Sequence, residues 1–129
     1  NEKPIWFSKE KHAMLLKQST QRKQTELQVT NLERKCFEFQ TVIFQLNYFS
    51  HGKLQLIAPK WVEYKCILLT YVRFLDHLSV KGYDSPNGQK IGQNFYYLFN
   101  IYQDVSGIVC RPCTYIVAFS SSYSYRPVH

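Results

Sequence analysis

The chain has 129 residues, enough for one domain of ordinary size, and its sixteen Lys and Arg against nine Asp and Glu give a formal charge of +7. Charged residues make up 19%, below the roughly 25% of an average soluble chain, while aromatics reach 16%. Five Gly, five Pro and four Cys exclude a collagen-like chain, a Pro/Gly-rich disordered one and a dense disulfide scaffold, and 45% hydrophobic residues argue against full disorder.

In chain order, residues 1–8 read as an extended lead-in, with Ser8 able to cap a helix by accepting an amide of its first turn. Residues 9–49 contain neither Pro nor Gly, so one helix of about 60 Å is permitted at 1.5 Å per residue. Residues 17–26 (KQSTQRKQTE) hold no apolar side chain, which makes this stretch solvent-bridging, frayed or held by a partner. Beyond it Val29, Leu32, Cys36, Phe39, Ile43 and Leu46 advance in steps of three and four, the cadence of a heptad seam. Phe37, Val42, Phe44 and Phe49 widen that stripe to bundle proportions. Ser50-His51-Gly52 is expected to end the helix, with Gly52 in the left-handed position past its C-terminus.

Residues 53–59 (KLQLIAP) read as a short connector, and residues 60–81 as a second helix entered through Pro59 and left through Gly82. Its seam, Trp61, Tyr64, Leu68, Tyr71, Leu75 and Leu78, repeats the cadence of the first. Two such helices predict an antiparallel, coiled-coil-like helical hairpin over residues 9–81. Residues 82–93 (GYDSPNGQKIGQ) are a turn-rich linker. Residues 94–119 form an aromatic packing segment, readable as a third helix capped by Asn94, with Phe95, Leu98, Tyr102 and Val105 on one face, and stopped by Gly107. A strand over residues 95–102 fits nearly as well, and the β-prone residues 108–110 and 114–119, joined through Arg111-Pro112, predict a small β-hairpin. Residues 120–129 read as a mobile Ser/Tyr-rich tail. The expected fold class is therefore mainly α, a helical hairpin followed by a third helix, a small β-hairpin, or both.

Charge belongs to the hairpin: residues 1–81 carry thirteen basic and seven acidic residues, +6, against three basic and two acidic, +1, in the remainder. On the first helix Lys9, Lys11, Lys17, Arg22, Lys23, Arg34 and Lys35 scatter around the helical wheel rather than forming one stripe, so they read as a solvated shell. A chain beginning at Asn1 is expected to be a processed form or a fragment, and no secretory leader or apolar run of about 18 residues is visible. With no glycosylation sequon either, the compartment stays open and an intracellular site is slightly favoured.

Chemistry is sparse. Cys110-Arg-Pro-Cys113 places two thiols at a spacing that can form a redox disulfide, and its Pro in third position resembles the active-site pattern of thioredoxin-like oxidoreductases. In that family the motif follows a strand and opens a long helix. Here it leads into β-prone residues, and a tight turn holding two small thiols is the plainer expectation. A zinc site wants four Cys or His ligands, but His12, His51, His77 and His129 are scattered and only His129 is near the Cys pair, so no metal or cofactor is expected. A Cys36–Cys66 bridge is not expected either, because a hairpin turning near residue 55 sets the two at different levels, and Cys66 lies opposite the seam. Asp76-His77 is the sole adjacent acid–imidazole pair, and neighbours on a helix point about 100° apart, so no catalytic residue is assigned.

These features point to a non-enzymatic interaction or scaffold module. Phe37, Phe44, Val62, Leu69 and Phe74 lie off the seam and are the expected partner-binding residues, covered by residues 94–119, by a partner helix or by a second copy. Two alternatives remain, a basic subunit of an RNA–protein assembly and a secreted helical-bundle signalling factor. Nucleic-acid binding is less favoured because most aromatics fall at core spacings.

Overall fold

The computed structural model describes residues 5–45 and 51–124, with side-chain surroundings for residues 8–45 and 54–119. These residues form four helices, α1 (Ile5–Gln45), α2 (His51–Ser79), α3 (Gly88–Ser106) and α4 (Arg111–Ser124), and no strand. On α1 the seam buries Val29, Cys36 and Ile43, with Leu32 and Phe39 half-buried beside it. On α2 it buries Ile57, Trp61, Tyr64, Leu68, Tyr71, Val72, Leu75 and Leu78. Gln40 on α1 meets Tyr64 on α2, and Glu33, seven residues earlier, meets Tyr71, seven later. The two helices therefore run antiparallel.

α3 lies along both. Its Ile91 carbonyl and Asn94 meet Gln40, and Tyr97 stacks on Phe44, so α3 runs parallel to α1. The Trp61 ring lies between Phe95, 5.8 Å away and 10° from parallel, and Tyr102, at 4.6 Å and 17°. Stacked pairs of this kind add about 0.5–1.5 kcal/mol each beyond the area they bury. α4 packs mainly on α3 and also reaches α2, placing Cys113 and Ile116 in the same core.

Helix ends account for several boundaries. α2 closes with Gly82 at φ +85°, where the amides of Gly82 and Tyr83 donate to the carbonyls of Ser79 and Leu78 at 3.0 and 3.1 Å. That reciprocal pair satisfies two of the terminal carbonyls a helix leaves unpaired. α3 ends on Gly107 at φ +68°, whose amide donates to Gln103 at 2.9 Å.

Five expectations need correction. Residues 5–8 are helical rather than extended, because α1 begins at Ile5. Gly52 does not stop a helix but is the second residue of α2, and the expected connector, residues 53–59, is helical with Pro59 inside it. The reason is burial: Leu54 and Ile57 continue the three-four cadence backward from Trp61, and packing them outweighs the amide that Pro59 lacks. α3 begins at Gly88, inside the expected linker, since Ile91 belongs to its core face. The β-hairpin is absent: residues 108–110 are loop and residues 114–119 are helical, because Cys113, Ile116 and Val117 share one side of a helix that packs on α3. Residues 120–124, expected to be tail, finish α4. Leu46, Phe49 and Ser50 lie outside the described residues.

Candidate functional site

The five expected partner residues do not gather into one surface. Phe37 and Phe44 face α3, where Phe37 lies 5.6 Å from the Lys90 ammonium and Phe44, 39% exposed, stacks on Tyr97 at 5.9 Å. Covering by the 94–119 segment thus applies to Phe44. Leu69 and Phe74 are half-buried against the core, and Val62 is exposed. At 100° per residue Val62 and Leu69 fall on one flank of α2 and Phe74 on the other.

Two polar side chains that the heptad pattern had no means of flagging are buried between the helices. Gln40 donates from Nε2 to the Tyr64 hydroxyl at 2.7 Å and to the Ile91 carbonyl at 3.3 Å, and its Oε1 accepts from Asn94 Nδ2 at 2.9 Å. Glu33 Oε2 accepts from the Ser85 hydroxyl at 2.7 Å and the Tyr71 hydroxyl at 3.2 Å. Burial pushes the Tyr64 phenol above its ordinary range, against the opposing pull of the Gln40 bond, and a nearby Cys36 charge would add to the rise. Cys36 is pushed up to about 12, first by burial and then by the Glu33 charge. These groups form a structural ladder that ties α1, α2 and α3 together. Glu33 also lines a shallow cleft of about 640 Å³ with Arg34, Phe37 and Asn87, but both of the ladder's hydroxyl partners on α2, Tyr64 and Tyr71, are buried.

What is open is the front of α1. Every residue from 8 to 24 is exposed, and the first buried side chain among the described residues is Val29. At 1.5 Å per residue this arm reaches about 25 Å beyond the packed helices. It carries Lys9, Lys11, Lys17, Arg22 and Lys23 against Glu10, a net +4, and no aromatic residue. Met14, Leu15 and Leu16 are 62%, 56% and 55% exposed, an apolar band around the arm's middle. Thr20 and Thr25 turn their hydroxyls back to the carbonyls of Leu16 and Gln21, and Arg22 pairs with Glu26 at 3.1 Å. Where the arm leaves α2, a cleft of about 980 Å³ opens between Leu15, Gln18 and Arg22 on one wall and His77 and Lys81 on the other. The lack of apolar residues at 17–26 was the sequence signal for this arm. The scatter of its basic residues, which argues against a stripe on a packed helix, carries no such weight on a helix open on every side.

The remaining candidates are placed as follows. Asp76 and His77 are both exposed at the end of α2. No group of three or more His, Cys, Asp or Glu gathers among the described residues, and His129 lies outside them. Cys36 is buried and Cys66 exposed, and no bridge joins them. Glu33 and Gln40 pair with Tyr71 and Tyr64, so Cys36 lies level with Leu68 rather than with residue 74 as a turn near residue 55 implied. Cys110 immediately precedes α4 and Cys113 lies in its first turn, so the pair is not the turn of a hairpin. No known protein family, curated protein or solved structure matches the chain. No described helix is long and apolar enough to cross a membrane.

Proposed function

We propose that this chain is a non-enzymatic interaction module in which the packed helices hold out the α1 arm to an acidic helical segment of a partner protein. The observation that carries the reading is the continuous exposure of residues 8–24 in a 41-residue helix. A helical segment with no packed face is weakly held in water, because helical stability in proteins comes mostly from packing an apolar face. Charge complementarity selects the partner: the arm's +4 disfavours a second copy of itself and favours Asp/Glu-rich sequence. The Met14–Leu15–Leu16 band and the adjoining cleft supply apolar contact, which distinguishes the arm from a purely electrostatic tether. Residues 8–24 carry no Phe, Tyr or Trp to serve as a stacking platform for successive bases, so a protein partner is preferred to single-stranded RNA.

The test is a triple charge reversal, Lys17→Glu, Arg22→Glu and Lys23→Glu, in the full chain. The variant should keep its helical circular dichroism and lose the protein that co-purifies with the unaltered chain from its native source. Lysine cross-links in the unaltered complex should fall on Lys9, Lys11, Lys17 and Lys23. A partner retained by the variant, or cross-links confined to α3 and α4, contradicts the reading. Salt-dependent recovery of RNA in place of protein supports the RNA-assembly alternative instead.

A further inference from the structure

Cys110 and Cys113 are arranged as an attacking and a resolving thiol. Cys110 is the residue immediately before α4, and its carbonyl already accepts the Thr114 amide at 3.2 Å. It therefore stands at the cap position, where a side chain can take one of the unpaired amides of the first turn. Its sulfur does so, accepting from the Cys113 amide at 3.4 Å, and the Lys65 ammonium on α2 lies 3.5 Å away on the same sulfur. Pro112 fits in this first turn because its missing N–H is not needed there. Cys110 is part-exposed at the end of the 107–110 loop, whereas Cys113, three residues on, is fully buried beneath it.

Residues three apart on a helix have their Cβ atoms about 5–6 Å apart against the roughly 3.8 Å of a disulfide, so joining the two closes the first turn of α4 by about 1–2 Å, at the end of the 107–110 loop. The Cys113 thiol is pushed well up from its ordinary value, by burial first and then by hydrogen bonding to and repulsion from Cys110, with Lys65 opposing. The other two thiols lack this setting. Cys66 is exposed and solitary, and Cys36 is sealed in the core beside Glu33.

We infer that Cys110 and Cys113 form a reversible thiol–disulfide exchange site whose co-reactant is a low-molecular-weight disulfide of the glutathione class. Cys110, having released its proton to solvent, attacks one sulfur of the small disulfide. A mixed disulfide forms, and the expelled thiolate takes up a proton. Cys113 then gives its proton to solvent and attacks the Cys110 sulfur, expelling the second small thiol. The protein loses two protons and two electrons, that is two hydrogens, as one small disulfide becomes two thiols. Lys65 is a positioning residue that holds a positive charge against the attacking sulfur. This site does not depend on the arm or its partner.

The experiment incubates the full-length reduced protein with oxidised glutathione and follows each cysteine by peptide mass spectrometry. The expected product is an internal Cys110–Cys113 disulfide, two hydrogens lighter and without a glutathionyl group, while Cys66 accumulates a glutathionyl adduct. Cys113→Ser should trap glutathione on Cys110, and Cys110→Ser should leave Cys113 unmodified. Lys65→Gln should slow disulfide formation by on the order of threefold to tenfold, a readout that a merely structural role would not move. Circular dichroism of each variant separates these results from unfolding, and Cys113→Ala repeats the trapping test should the serine prove disruptive. Persistent glutathionylation of Cys110 in the unaltered protein overturns the inference, as does a Cys113 that reacts equally well without Cys110. An unchanged rate in Lys65→Gln overturns the role given to Lys65.

Discussion

Gln40 and Glu33 stand one heptad apart on α1, and their hydroxyl partners Tyr64 and Tyr71 stand one heptad apart on α2. Sliding the helices by a heptad would set Glu33 against the apolar Leu78 one way and Gln40 against the apolar Ile57 the other, so the ladder fixes register where a seam of interchangeable apolar residues would not. Gln40→Ala should lower stability by about 1–3 kcal/mol for each buried partner left unpaired, and Gln40→Leu combined with Tyr64→Phe should recover part of the loss, both read from urea midpoints. The sequence could not reveal this ladder, because a polar residue one position past the seam looks like a solvated one until a hydroxyl is placed opposite. The buried thiol adds a pH dependence. Below Cys36's ordinary value of 9.0 the thiol is neutral in both states, so its contribution to stability is fully present. Above that value the unfolded chain ionises while the folded one resists until about 12, so stability falls with rising pH across that window. One such group contributes a slope of at most about 1.4 kcal/mol per pH unit, and Tyr64 and Cys113 act in the same direction. Urea midpoints that stay level from about pH 9 to about pH 11 would contradict this, and Cys36→Ala should make the decline shallower.

At the scale of elements, the three-four cadence on α1 and α2 located the hairpin and most of its core, from Val29 to Ile43 and from Trp61 to Leu78. Its limits were missed for identifiable reasons. Pro59 and Gly52 were read as punctuation, yet Leu54 and Ile57 extend the same cadence across them, and their burial holds the first two turns of α2 in place. Pro59 still leaves the carbonyl four residues earlier without its usual donor. As an exposed interior proline it should cost the helix up to about 3 kcal/mol relative to alanine. Pro59→Ala is expected to raise the thermal midpoint, and a lowered midpoint would mean that the proline supports the turn before α2. At the other end of the chain, residues 114–119 have the β-branched and aromatic content of a strand but the burial pattern of a helix. Packing of Cys113 and Ile116 on α3 decided between them, which local propensity alone does not. The same change of element turned the Cys110–Cys113 pair from a turn feature into a capped helix start.

For the whole molecule, the formal charge of +7 is unevenly held. Five basic residues against one acid on residues 8–24 account for +4, which leaves +3 for everything else. The helices that bury Trp61, Tyr64 and Phe95 are nearly complete without the arm, and residues 8–24 contribute nothing to the core. A long basic helix with no internal use is the central feature that the interaction reading explains, and its two visible signals were the absence of Pro and Gly and the polar run at residues 17–26. What could not be read in advance was which faces the other helices leave uncovered, because that depends on the register in which α2 pairs with α1. The most direct measurement is amide hydrogen exchange on the full chain, alone and in the complex recovered from its native source. The account predicts fast exchange over residues 8–24 in the isolated chain, slow exchange from Val29 to Ile43, and strong protection of the arm once the partner is bound. An arm that exchanges equally fast in the complex, with new protection only on α3 and α4, would contradict it.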